Sequence, residues 1–216
     1  MNILITGTSS GIGRSAALRF LAGGHRVTGI DILPGTIAYD AYRHVCFDLR
    51  STGELPDVGE VHVLINNAGV QGTDEDIDLN LKSLIRVTEK YGVQPAIRSI
   101  LNVASASAHS GAEFPAYAAS KGGVLAYTKN VAMRVAPWGA TCNSISPGGV
   151  LTESNRHVTD DPALWARVME ETPLKKWAST EEIAEWIYFL TVTNRSMTAQ
   201  DVIVDNGEMN NYHFVW

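Results

Sequence analysis

The chain's 216 residues suffice, at about 150 per domain, for one domain with a sizeable core, and its 45% apolar and 19% charged residues exclude disordered, fibrous and membrane-spanning classes. With 17 basic against 23 acidic side chains, the formal charge of −6 excludes the clustered cations of a nucleic-acid surface. Cys46 and Cys142 lie too far apart for a zinc or redox pair, so no metal centre is expected. Two free thiols, and an opening from Met1 to Gly7 without the positive region of a secretion signal, predict a cytoplasmic protein that is not held in a membrane.

Short Ile- and Val-rich runs predict strands near residues 2 to 6, 26 to 31, 44 to 47, 61 to 65, 99 to 103, 141 to 145 and 201 to 204. Segments of helical period separate them, the pattern of parallel strands joined by crossover helices in an α/β fold. Most runs are unbroken apolar stretches, so the sheet should be covered on both faces. The first helix is predicted from Gly11, with Ala16, Phe20 and Leu21 on the sheet and a stop at Gly23 and Gly24. Others run from about Glu75 to Tyr91, from about Ala116 to a stop before Pro137, and from Ser179, where Ser-Thr-Glu-Glu reads as a capping box. Residues 33 to 43 and 49 to 60 are too short for helices plus turns, which predicts shortened connections around strands 2 to 4 and thin cover on one face there. No repeat or linker interrupts residues 1 to 216, so a single domain is expected.

Directly between the first strand and first helix stands Thr6-Gly7-Thr8-Ser9-Ser10-Gly11-Ile12-Gly13. Glycines there allow a sharp bend, close approach of a pyrophosphate, and an anion at the helix N-terminal amides of Ser10, Gly11, Ile12 and Gly13. A plain strand-to-helix turn needs the same glycines, and the spacing is neither Gly-x-Gly-x-x-Gly nor a P-loop. Tyr117 and Lys121, four apart on a predicted helix, emerge on one face, where an ammonium can lower a phenol's pKa and make it a usable acid or base. A packed tyrosine above a solvated lysine has the same spacing.

These residues resemble the short-chain dehydrogenases/reductases. The Thr-Gly-x-x-x-Gly-Ile-Gly turn, Asn66-Asn67-Ala68-Gly69 after the fourth strand, Tyr117-x-x-x-Lys121, and Pro147-Gly148-Gly149-Val150-Leu151-Thr152 match that family's motifs in order and span nearly the whole chain. The resemblance implies a single-domain, doubly wound parallel sheet of about seven strands, a Rossmann fold, with residues 152 to 178 as a substrate lid. It implies a nicotinamide dinucleotide, Asp48 and Leu49 at the adenine, Asn67, Ala68 and Gly69 at the adenosine ribose, and Lys121 at the nicotinamide ribose. Pro147, Val150 and Thr152 belong to the segment that would hold the carboxamide. Asp48 also reads as an ordinary turn residue.

Asp31, about 20 residues past the glycine turn, can accept both hydroxyls of the adenosine ribose, and its charge disfavours a 2′-phosphate. NAD(H) is therefore expected over NADP(H). Arg14 is the one nearby cation and reads equally well as a solvated helix residue. By resemblance Asn80 is the fourth catalytic member beside Ser105, Tyr117 and Lys121, propping a water chain; an Asn bonding preceding helical carbonyls is the alternative. Ser105 keeps register with the end of the fifth strand and would be the second donor to a carbonyl oxygen, but it stands 12 rather than 13 positions before Tyr117, and Ser107 remains open.

The lid segment offers Leu164, Trp165, Val168, Met169, Pro173 and Trp177 to a pocket or to helix packing. With few cations facing the pocket, a small neutral or apolar alcohol and ketone pair is expected, and the stretches Gly29 to Asp31 and Val103 to His109 look somewhat like bacterial hydroxysteroid and carbonyl reductases. Asn211 to Trp216 is apolar enough to dock, and the family's habit implies a homo-oligomer, tetramer or dimer. The expected function is hydride transfer between nicotinamide and a secondary alcohol or ketone with Tyr117 moving the proton. The alternatives are a non-catalytic dinucleotide sensor and an epimerase or dehydratase that retains its cofactor.

Overall fold

A computed structural model describes residues 1–211; the end of the aromatic tail, Tyr212 to Trp216, lies outside the described residues. Seven strands form one parallel sheet: β1 (Asn2–Thr6), β2 (Arg26–Asp31), β3 (Tyr42–Cys46), β4 (Val63–Asn66), β5 (Ser99–Val103), β6 (Thr141–Pro147) and β7 (Asp201–Val204). Their order is β3-β2-β1-β4-β5-β6-β7, with Ile5 of β1 in register with Gly29 and Ile65. Reversal of the order beside β1 makes the sheet doubly wound and opens a crevice where neighbouring strand ends diverge.

Alternating side chains of β1 feed two cores. Ile3 and Ile5 pack with Phe20 of α1 (Gly11–Ala22) and with Ile183 and Ile187 of α7 (Thr180–Tyr188). Leu4 faces the opposite layer, where Val87 and Tyr91 of α2 (Leu84–Tyr91) and Val131 and Val135 of α4 (Pro115–Val135) cover the sheet. The predicted residues Ala16, Phe20 and Leu21 of α1 are all buried, and the helix stops at Gly23 and Gly24, the latter at φ +77°. At α7 the capping box forms as read: Ser179 Oγ accepts from the Glu182 amide, and the Glu182 carboxylate accepts from the Ser179 amide.

Neither connection flanking β3 holds a helix, as their length dictates. The helix expected from Glu75 differs. Residues 73 to 76 form a turn, and Asp78–Ser83 winds as a π-helix before α2. Within it the Ser83 hydroxyl bonds the Asp78 carbonyl and also the Leu49 carbonyl, holding the wider turn against the loop after β3.

Residues 152 to 178 contain α5 (Arg156–Thr159) and α6 (Pro162–Glu171), and a four-residue helix α3 (Ser107–Ser110) follows β5. Past β7, Asn206 at φ +56° and Gly207 at φ +91° turn the chain, and Asp205 accepts from the Gly207 and Met209 amides. Asn206 is a residue type tolerant of the left-handed region. Cys46 is exposed and Cys142 buried, both free. Among the described residues no helix is long and apolar enough to cross a membrane.

Candidate active site

Above the carboxyl ends of the strands runs a cleft in two joined halves. The first, about 380 Å³, is lined by the glycine turn, Asp31, Asp48, Leu49 and the chain from Asn67 to Val70. Gly7 and Gly11 have φ of +76° and +53°. A Cβ on Gly13 would stand 1.9 Å from the Gly7 carbonyl oxygen, so α1 starts hard against the turn. At Gly11 the nearest atom to an added Cβ is Thr152 Cγ2 at 3.7 Å, leaving the backbone open to the cleft. Ser10, the N-cap, makes no side-chain cap, so the first amides of α1 keep their donors for an anion. The residues suit a dinucleotide's pyrophosphate.

Asp31 is held by two main-chain donors, with Oδ2 accepting from Ser9 and Oδ1 from Leu33, each at 2.9 Å. Arg14 is absent from the lining and donates through Nε to Thr36, whose hydroxyl bonds the Ser9 carbonyl; it braces the loop after β2. Asp48 sits in a turn at the edge of the cleft. It lines the cleft and also accepts from the Arg50 amide in a tight turn, while bidentate contact with the Arg50 guanidinium holds its carboxyl below the usual range. Asn67 lines the cleft, but its side chain is committed to the Thr6 and Gly7 carbonyls at 3.0 and 3.1 Å. The amides of Asn67 and Ala68 both donate to the Thr6 hydroxyl.

The second half, about 560 Å³, brings together Ser105, Ser107, Tyr117, Lys121 and the Pro147 to Thr152 segment. Lys121 is 5% exposed; its Nζ donates to the Val103 carbonyl at 2.8 Å and lies 5.7 Å from the centre of the Tyr117 ring. Burial brings its pKa down to about 8, with Asp76 acting the other way. The expectation that this lysine lowers the Tyr117 pKa is not met in the structure. Burial pushes the phenol up, Ser105 draws it down by hydrogen bonding, and Asp76 raises it further. Desolvation of the phenolate is the largest of these effects.

That influence separates the two serines: Ser105 is the one that acts on the Tyr117 phenol, and its hydroxyl accepts from the Ser107 amide at 3.2 Å. Replacing Ser105 with Ala is expected to lower turnover at least about tenfold, and replacing Ser107 with Ala by less than about threefold, in steady-state assays. Asn80 makes none of the helical-carbonyl contacts of its alternative reading. Its Oδ1 accepts from the Val70 amide, and its Nδ2 donates to the Val70 carbonyl and to Ser120 on α4. Gly69 fits between, since a Cβ there would lie 2.9 Å from Asn80 Oδ1 and 3.5 Å from Lys121 Nζ.

Two residues, Asp76 and Glu208, escaped the sequence reading. Asp76, 1% exposed, accepts from the Gly72 and Thr73 amides and the Thr73 hydroxyl; Thr73-x-x-Asp76 before Asn80 was the available signal. Glu208 and its hydrogen-bond donor Trp177 reach the second half of the cleft from opposite sides of β7 in the chain, and no local pattern marks them as partners. Of the apolar lid residues, Trp177 alone lines this half among the described residues, with Trp165 packed edge-on against it at 5.2 Å.

A sequence profile of the family described as enoyl-(acyl carrier protein) reductase matches residues 55–208. Carbonyl reductase [NADPH] 2 of Sus scrofa is 30% identical over 96% of this chain and 96% of its own length. The 2-(R)-hydroxypropyl-CoM dehydrogenase of Xanthobacter autotrophicus is 29% identical over 94% of this chain and 96% of its own. Among solved structures, 4-hydroxyisoleucine dehydrogenase complexed with NADH superposes with a TM-score of 0.86 at 26% identity, over 96% of this chain and 98% of that one. With the four motifs in one cleft and these matches along its length, the chain belongs to the short-chain dehydrogenase/reductase family.

Proposed function

We propose that the protein is an NAD(H)-dependent oxidoreductase acting on a small secondary alcohol and ketone pair that carries no negative charge. The observation that carries this reading is the meeting of Ser105, Tyr117 and Lys121 in the cleft that also holds the open amides of α1. A bound nicotinamide dinucleotide supplies or accepts the hydride. The α1 amides take its pyrophosphate, Asp31 accepts the ribose hydroxyls, and Lys121 and the Val150 to Thr152 segment hold the nicotinamide end. Tyr117 gives its proton to the carbonyl oxygen in reduction and takes it back in oxidation, while Ser105 donates a second bond that keeps that oxygen in line. Asn80, by clamping the Val70 main chain to α4, fixes the wall beside Lys121.

Two charge arrangements support the finer choices. In the first half, Arg50 is the cation in the lining, and it is already paired with Asp48 and Glu75. A 2′-phosphate beside Asp31 therefore meets an uncompensated repulsion of up to about 4 kcal/mol at 4 Å. In the second half Lys121 is the lining cation and lies buried, so nothing attracts an anionic substrate. Screening alcohols and ketones by the absorbance of reduced nicotinamide tests the reading. NAD(H) is expected to support faster turnover than NADP(H), and Asp31→Ala is expected to shift the kcat/KM ratio toward NADP(H) at least tenfold, on the order of 1.4 kcal/mol. A wild-type preference for NADP(H) overturns the cofactor choice; no turnover with either overturns the activity.

A further inference from the structure

The substrate end of the cleft is closed by Glu208, held by groups far from it in sequence. Its Oε1 accepts from the Trp177 indole and the Thr172 hydroxyl, both at 3.0 Å, and Trp177 is itself fixed by Trp165. Among the described residues none bonds the other oxygen, Oε2, which lies 2.9 Å from where a Cβ on Gly148 would stand. Gly148 and Gly149 together keep this arrangement open. A side chain at 148 would press on the carboxylate, and one at 149 would stand 2.1 Å from indole atoms of Trp177 and displace the ring that orients Glu208.

An ionised carboxylate only accepts hydrogen bonds, and a ligand that dries it without donating one leaves a buried acceptor unpaired. Lys121, the cation in this lining, donates to the Val103 carbonyl, and among the described residues no ion pair reaches Glu208. Resting on the oxidoreductase reading above, we infer that Glu208 is a specificity-determining residue and that the substrate carries a second polar group, a hydrogen-bond donor, which Oε2 accepts. A hydroxyl or an ammonium meets this requirement. A plain hydrocarbon or acyl chain does not, because it would desolvate the carboxylate and return nothing.

The test compares kcat/KM in the full-length protein with NAD⁺ for cyclohexanol, trans-1,2-cyclohexanediol and trans-2-aminocyclohexanol, and for the acyclic set 2-butanol, 2,3-butanediol and 3-amino-2-butanol. Donor-bearing members are expected to exceed the plain alcohol at least about tenfold in one series or both. Glu208→Leu is expected to collapse that ratio toward one, mainly through KM. Glu208→Gln separates the donors: its amide oxygen still accepts from a hydroxyl, whereas a preference for the ammonium falls with the lost charge. Trp177→Phe removes the orienting N–H but retains an aromatic ring, and should lower the ratio severalfold even if the leucine variant does not fold. A wild-type preference for the plain alcohols, or a ratio unmoved in the folded variants, overturns the inference. Absence of turnover on every alcohol and ketone with either cofactor is a different failure, that of the oxidoreductase reading itself.

Discussion

Replacing Tyr117 with Phe is expected to reduce turnover by about 10²- to 10⁴-fold, the range lost with a general acid–base group, while NADH binding changes less than about threefold. The ring remains half-buried on α4, and the cofactor cradle, built from the glycine turn, Asp31 and the Asn67 to Val70 chain, is untouched. Stopped assays of turnover and fluorescence titration with NADH separate the two effects. The pH profile adds a sharper test. In the unliganded protein burial holds the phenol above its ordinary value of 10, so oxidation at neutral pH depends on positive charge arriving with the cofactor. With NAD⁺ as the varied substrate, the limb of kcat/KM, which reports the free protein, should therefore lie at higher pH than the limb of kcat, which reports the complex. Coincident limbs, or normal turnover in Tyr117→Phe, refute the assignment.

Lys121→Met is expected to lose at least about 100-fold in turnover and yet to melt at a higher temperature near pH 7. The lysine is ionised in a buried site, and its pKa falls from an ordinary 10.5 to about 8, a penalty of about 3 kcal/mol for keeping the charge. Part of that gain is offset because the Val103 carbonyl loses its donor, leaving on the order of 1–2 kcal/mol, or about 2–8 °C in Tm. The direction with pH follows from linkage. Below about pH 8 both folded and unfolded chains carry the proton, and the penalty is present in full. Between about 8 and 10.5 the folded protein has released it and the unfolded chain has not, so wild type gains stability relative to the variant as pH rises through this window. Thermal denaturation of both proteins at pH 7 and pH 9.5 measures the difference. A variant less stable than wild type at both would show that Lys121 is held without strain.

The stability result bears on how such a site is maintained. A buried ammonium that costs stability persists where its function requires it, and the surrounding structure offsets it through the well-packed sheet beneath. Lys121 sits between the Val103 carbonyl and Gly69, whose missing side chain leaves room for both Nζ and Asn80 Oδ1.

Much of the fold was legible in local pattern. Strands in the middle of the sheet such as β1 and β4, covered on both faces, read as short runs of Ile, Leu and Val, and all seven strands were found, with shifts of up to two residues at their ends. The capping box at Ser179 and the stop at Gly23 are settled within one turn of chain, where the hydrogen-bonding partners are sequence neighbours. The same locality makes Tyr117 and Lys121 neighbours on α4. The π-helical turn at Asp78–Ser83 was not legible, because the contact that holds it, Ser83 to the Leu49 carbonyl, joins segments far apart in the chain.

By itself, then, the chain's order of residues determined the α/β class, the glycine bend before α1, the tyrosine–lysine pair and the acidic residue at the end of β2, since each is a matter of spacing, backbone conformation or side-chain type. Only tertiary structure decided that Ser105 rather than Ser107 acts on the Tyr117 phenol, that Asp48 is clamped by Arg50, that the free phenol is less acidic rather than more, and that Glu208 joins the lining of the cleft. Each of those depends on how much water is removed and which distant group arrives in its place. Neither quantity exists until the sheet has closed and the segments after β4, β6 and β7 meet above it.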